Sequence, residues 1–250
     1  MADARPCALL LSPHPDDECL IGSLPLRLMR EQGWRIANLA VTLGSDISRR
    51  PTRKAELAKA CAVLGFEGVL AEAEGFSGIT AETRTTSPDI WRKMSERVAS
   101  FIAQLKPQAI FLPHLSDAHP AHIGTHHLGM DALTLQNKDF TCTVFQTEYW
   151  QPNAAPNLMI GINEQDASSL LAALACHAGE NARNPFDVRF PAYLIDNVRR
   201  GSELIGGTGT AAAQIDFAMI YQMGLWRSGK YTPSSLGRMI GPADSLAALM

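Results

Sequence analysis

Cys7-Ala8-Leu9-Leu10-Leu11-Ser12-Pro13-His14-Pro15-Asp16-Asp17-Glu18 is the stretch from which the rest of the chain is read. Residues 7–12 are an apolar run too short for a helix and closed by a Pro-rich turn, which predicts a buried strand. Residues 18–32 carry Leu20, Ile21, Leu24 and Leu28 at helical spacing and stop at Gly33, so a helix follows at once. The same alternation continues outward. A strand is expected over 35–42, a helix over 52–64 with Thr52 as N-cap and Gly65 as terminator, and a weaker strand over 69–73. A long amphipathic helix over 88–105 and a strand over 109–113 complete it. Strand–helix alternation of this kind predicts an α/β, doubly wound, mostly parallel sheet with helices on both faces.

Beyond position 114 the pattern is less regular. A helix is expected over 122–135, strands over 143–150 and 158–162, and a helix from 163 or 164 to about 177. The tail holds a segment over 191–205, a Gly-rich break at 206–209, and an apolar run over 211–225 that reads as a helix. The break follows no strand and precedes no Lys-Ser/Thr pair, so it reads as a turn and not a phosphate loop.

Two clusters carry chemistry. In the first, acids at the start of a helix could simply face its positive end. That does not account for His14 between two prolines, whose rigid backbone fixes where the side chains point. Imidazole and carboxylate are both zinc ligands, and His14 and Asp17, three residues apart, can converge while Asp16 points elsewhere. In the second, five of the seven histidines fall between positions 114 and 127, in Pro113-His114-Leu115-Ser116-Asp117-Ala118-His119-Pro120-Ala121-His122-Ile123-Gly124-Thr125-His126-His127. Pro120 suits a first helical turn, which places His119 and His122 on one side. With strand order 3-2-1-4 the clusters sit at the carboxyl ends of neighbouring strands, where open α/β sheets bind ligands.

Composition narrows the function classes. A net charge of −3 without a Lys/Arg cluster disfavours nucleic acid, and no apolar stretch approaches a membrane span. Five cysteines without a CxxC pair predict reduced thiols and a cytoplasmic location, with Cys7, Cys61 and Cys176 as small core residues. At 250 residues the chain buries an ample core unaided, so a metal would serve chemistry and not folding. The partner expected is a small molecule, and a homo-oligomer is compatible with the sequence.

Pro13-His14-Pro15-Asp16-Asp17-Glu18 resembles the first signature of the LmbE-like, PIG-L-type zinc-dependent de-N-acetylases, and His119-Pro120-Ala121-His122 resembles their second, HPDH. Arg53-Lys54-Ala55-Glu56 matches an RxxE pattern, and the likeness runs on through Glu148-Tyr149-Trp150 to about His177. The resemblance implies one domain over 1–250, with a Rossmann-like core and metal site in 1–140 and additional strands and helices in 141–250. It implies that His14, Asp17 and His122 hold Zn2+ or another divalent transition metal, that Asp16 is the general base, that protonated His119 stabilises the oxyanion, and that Arg53 contacts substrate hydroxyls. Two imidazoles favour zinc over magnesium. The implied reaction is removal of an N-acetyl group from an N-acetylglucosamine-like substrate. Alternatives are a larger N-acyl group or a thiol conjugate as substrate, a catalytically inactive relative, and a metal-free nucleotide-binding module. Two departures stand out: Ala121 where the family carries an acid, and His177-Ala178-Gly179-Glu180 where it carries HxSQ. Asp117, two residues from His119, is expected to supply the missing acid to that imidazole.

Overall fold

The computed structural model describes residues 4–249. Its strands are β1 (Cys7–Ser12), β2 (Arg35–Ala40), β3 (Glu67–Leu70), β4 (Ala109–Pro113), β5 (Cys142–Thr147), β6 (Leu158–Ile162), β7 (Phe217–Arg227), β8 (Lys230–Pro233) and β9 (Arg238–Ile240). The helices are α1 (Asp17–Leu20), α2 (Ser23–Gln32), α3 (Arg50–Leu64), α4 (Ala81–Thr86), α5 (Pro88–Leu105), α6 (Pro120–Thr134), α7 (Glu164–Leu174), α8 (Ala178–Asn181) and α9 (Phe186–Gly206). The strands form one sheet in the order β3-β2-β1-β4-β5-β7-β6-β9, with β8 on β7. Pairing is parallel from β3 through β5 and antiparallel wherever β7 takes part.

The period of two along each strand divides its side chains between two cores. Leu9 and Leu11 of β1 join Ile110 and Leu112 of β4 in a core that contains Trp91 and Val98 of α5 and Leu128 of α6. Ala8 and Leu10, with Phe111 and Phe145, face the opposite core, which holds Leu24 of α2, Leu57 of α3, Leu170 of α7 and Leu194 of α9. Both faces are covered, as a parallel sheet requires, and β1 is buried along its whole length.

Several expected elements change. The helix expected over 18–32 is two helices, α1 and α2, separated at Ile21-Gly22. A Cβ at Gly22 would lie 2.6 Å from Leu170 Cδ2, so the close approach of α7 explains the glycine at the break. Thr52 is not an N-cap: α3 starts at Arg50, behind a short 3-10 turn (Ile47–Arg49) whose Asp46 accepts from the Ser48 N–H. Gly65 does end α3, in the left-handed conformation. The tail helix starts at Phe186 and takes Pro191 into its interior.

The largest correction concerns the apolar run over 211–225. Residues 217–227 are β7, inserted between β5 and β6 with Phe145 opposite Met223 and Ile160 opposite Met219. A strand buried on both faces shows continuous apolarity, which periodicity cannot tell from a buried helix segment. All five cysteines are free; Cys19 and Cys142 are buried with Cys7 and Cys61, while Cys176 is only half-buried. No helix among the described residues is long and apolar enough to cross a membrane.

Candidate metal centre and active site

β1 and β4 are paired neighbours, so the loops leaving Ser12 and Pro113 meet above the same sheet edge. The first loop delivers His14 and Asp17, and the second delivers His119 as the N-cap residue of α6 and His122 from its first turn. His14 Nδ1 is 3.4 Å from Asp17 Oδ2, His122 Nε2 is 3.6 Å from the same oxygen, and the two nitrogens are 3.3 Å apart. Ligands about 2.0–2.2 Å from a tetrahedral centre lie about 3.3–3.6 Å from one another. The three donors therefore fit one side of a tetrahedral divalent-metal site, with the backbone N–H of His14 bracing Asp17 Oδ2 at 2.8 Å. Nitrogens of His14, His119 and His122 also lie within 4.8 Å of one another, so His119 borders the same point.

Asp17 is buried, which alone would raise its pKa, but the neighbouring His122 and His14 outweigh that and hold it below the ordinary carboxyl value. Asp16 behaves in the opposite way. Burial, then the charges of Asp17, Glu18 and Glu180, push its pKa well up, against the opposing pull of Arg53. Burial and neighbouring charge thus push the two adjacent carboxyls in opposite directions. Asp16 also has left-handed backbone, φ +109°, a strained state for a non-glycine residue.

That strain is held from below by residues that the motif reading did not assign. Glu18 Oε2 accepts the Asp16 N–H at 3.0 Å, and Glu18 Oε1 accepts from His177 Nε2 at 2.8 Å. Glu18 is 0% exposed and His177 1%. Arg53 donates to the Pro15 carbonyl at 3.0 Å and lies 3.5 Å from Glu180, while Glu56 accepts the Gly179 N–H at 2.9 Å. The RxxE pair of α3 thus fastens α8 to the first motif, and Arg53 still lines the cavity. The sequence reading left His177 without a role; its contact with Glu18 appears only in the folded chain.

Asp117 stands elsewhere than expected. Its Oδ1 accepts the backbone N–H of His119 at 2.9 Å and lies 3.6 Å from His122 Nδ1, a fully buried nitrogen without a hydrogen bond. Its Oδ2 accepts from the Trp150 N–H at 3.2 Å. Burial raises the Asp117 pKa, but His122 and these N–H groups lower it more. The carboxylate thus lies nearest the His122 imidazole, and its charge also acts on His119.

His119 likewise departs from the protonated form. Its Nδ1 accepts the Ala121 N–H at 3.2 Å, so the neutral ring carries its proton on Nε2. Burial, followed by the positive character of His14 and His122, lowers its pKa to about 4. The other three histidines of the cluster do not line the cavity onto which His14, His119 and His122 open. His114 Nε2 donates to the Gln151 carbonyl at 2.7 Å, His126 Nδ1 donates to that of Pro113 at 2.8 Å, and His127 packs edge-on against His126.

These groups open into a cavity of about 860 Å³. One wall is the segment around Ile79, pressed so close to α6 that a Cβ at Gly124 would lie 2.3 Å from the Ile79 carbonyl oxygen. Trp150 and the start of α9 also line the cavity.

The chain is similar in fold to GalB, the 4-carboxy-2-hydroxymuconate hydratase of Pseudomonas putida, at 17% identity and a TM-score of 0.66, covering 87% of this chain and 95% of that one. It is similar to the A40926 pseudoaglycone deacetylase Dbv21 at 15% identity and a TM-score of 0.63, covering 90% and 99%. It is also similar to the N,N'-diacetylchitobiose deacetylase of Pyrococcus horikoshii at 13% identity and a TM-score of 0.64, covering 90% and 85%. At such identities the likeness is one of fold. No curated protein matches the chain. The PIG-L family, described as GlcNAc-PI de-N-acetylase, matches residues 9–133, half of the chain, and spans both histidine clusters. The chain therefore belongs to the PIG-L family of LmbE-like de-N-acetylases, hydrolases that act on an amide C–N bond.

Proposed function

We propose that this protein removes an N-acetyl group from an N-acetylglucosamine-like or related amino-sugar substrate, with a divalent metal, best matched by zinc, held by His14, Asp17 and His122. The observation that carries the reading is the donor triangle of 3.3, 3.4 and 3.6 Å. Two imidazoles and one carboxylate are a catalytic zinc set that leaves a fourth position open. Zinc bound there supplies Lewis acidity, which lowers the pKa of water from 15.7 to about 7 and polarises a carbonyl.

The remaining steps belong to the chain. Asp16, buried beside that point with a raised pKa, takes the proton of the attacking water. His119 Nε2–H donates to the carbonyl oxygen as negative charge develops there, and it does so as a neutral ring. The proton held by Asp16 then passes to the departing nitrogen, so amide and water become carboxylic acid and amine. Arg53, anchored by Pro15 and Glu180, presents its remaining N–H groups to substrate hydroxyls. Ala121 carries no acid, and Asp117 supports the adjacent ligand His122.

The test is metal analysis of the purified chain together with release of free amine from N-acetylglucosamine and its glycosides. About one zinc or equivalent transition metal per chain, with turnover that chelation abolishes and zinc restores, is expected. Full turnover in protein stripped of metal would overturn the reading.

A further inference from the structure

The cavity is larger and more apolar than an amino sugar needs. Its volume of about 860 Å³ stands near the top of the range, about 300–1,000 Å³, in which proteins hold drug-sized ligands. A single hexosamine would leave much of it as water against apolar side chains. Among its polar lining groups, Arg50 donates to the Gly44 carbonyl and the Ser77 hydroxyl, Glu148 is paired with Arg200, and Arg189 stands on α9 between Phe186 and Phe190.

The apolar surface begins at the reaction centre. Trp150 lies nearly parallel to the His119 ring, 25° and 6.4 Å between centroids, and meets Phe186 edge-on at 5.6 Å. Phe190 and Tyr193 continue the wall one and two turns further along α9, stacked at 6.3 Å. Trp150 belongs to neither large core and is 51% exposed, and Ile47, which also lines the cavity, is 74% exposed. Packing leaves both side chains open to solvent where they line the cavity. A ligand seated there would cover them.

We propose that the natural substrate carries an apolar substituent, aryl or medium-chain alkyl, that lies along Trp150 and the first turns of α9 while the amide sits at the metal centre. This rests on the amide-hydrolase reading above. The substituent can be attached on the amine side, as the aglycone of an amino sugar, or on the acyl side. Both place the same chemistry against the same wall.

The deciding experiment compares kcat/KM of the zinc-loaded protein for N-acetylglucosamine, its phenyl and octyl β-glycosides, and N-octanoylglucosamine. A gain of about 10- to 100-fold for either substituted class is expected, because the buried apolar area aids binding in the transition state as well. The class that gains identifies the side of attachment. Trp150→Ala and Ile47→Asp should each reduce that gain to within a few-fold of unity. Equal or lower kcat/KM for every substituted compound, with N-acetylglucosamine turned over, would overturn the proposal and leave the amidase reading intact. A parallel binding measurement, by tryptophan fluorescence, uses phenyl and methyl β-glucoside, which contain no amide. Tighter binding of the phenyl compound by at least about tenfold, reduced in Ile47→Asp, supports the apolar wall even if no amide is cleaved; equal binding joined to no gain for N-octanoylglucosamine overturns it.

Discussion

Residues 7–134 and residues 142–249 both line one cavity and were built on different principles. In the first region every reactive side chain lies within a few residues of a strand end, and β1 and β4 place two such loops side by side. In the second region the contributions are scattered: Trp150 from a loop, Glu180 from α8, Phe186 and Phe190 from α9. Its strand β7 pairs with β5 and β6, earlier in the chain, in antiparallel register. The contrast separates chemistry, which is local in sequence, from support and substrate selection, which depend on long-range packing.

Substitutions at the centre should hit hardest. His14→Ala, His122→Ala and Asp17→Ala should each lower metal content from about one per chain to near zero and turnover to background, while circular dichroism stays unchanged. Metal retained by Asp17→Ala would break the assignment of this residue. Asp16→Asn sharpens the same contrast inside one dipeptide. It should keep its metal and lose about 10²–10⁴ in kcat, the usual worth of a positioned general base.

His119→Ala should cost about 10²–10³ in kcat with metal retained, as expected for one oxyanion donor. The pH dependence carries a sign. With a pKa near 4 the ring is already neutral above about pH 5, and that neutral form is the donor. Its activity should therefore not be lost as pH rises through 6 to about 9. A basic limb that disappears in His119→Ala would restore the protonated role.

Asp117→Asn should weaken metal affinity by about 10- to 100-fold, the common effect of removing a group that orients a histidine ligand. An unchanged affinity joined to a shifted pH profile would return Asp117 to His119. The smallest effect on the centre is expected from the second region. His177→Leu leaves Glu18 Oε1 without its main partner and should cost about 1–3 kcal/mol of stability in thermal melts. Turnover should fall while metal content holds, since Glu18 then braces the Asp16 peptide less firmly. An unaltered kcat would show that the brace is purely structural.

Much of this was legible beforehand. Strand β1 and the Pro13–Glu18 turn, the limits of α5, β4 and β6, and the order β3-β2-β1-β4 follow from periodicity, turn residues and chain order. His14 and Asp17 converge because they sit three residues apart on one rigid turn, and such a relation survives any packing around it. Three relations could not be read in this way. Whether the run around Phe217 is helix or strand depends on whether β5 and β6 leave a gap between them. Asp117 is nearer in sequence to His119, yet the turn into α6 aims its carboxylate at His122. His177 finds Glu18 across 159 residues, through α7 and its packing against α1 and α3.

The candidate reactive groups and the sheet that carries them were readable from the chain alone, because short-range geometry and strand order are set by neighbouring residues. Only the tertiary structure decided which acid supports which imidazole, what holds Asp16 in its left-handed backbone, and what the wall around Trp150 offers a substrate. Those relations join segments that no local periodicity connects, and burial, which sets both the pKa directions and the close approaches, exists only once the layers have packed.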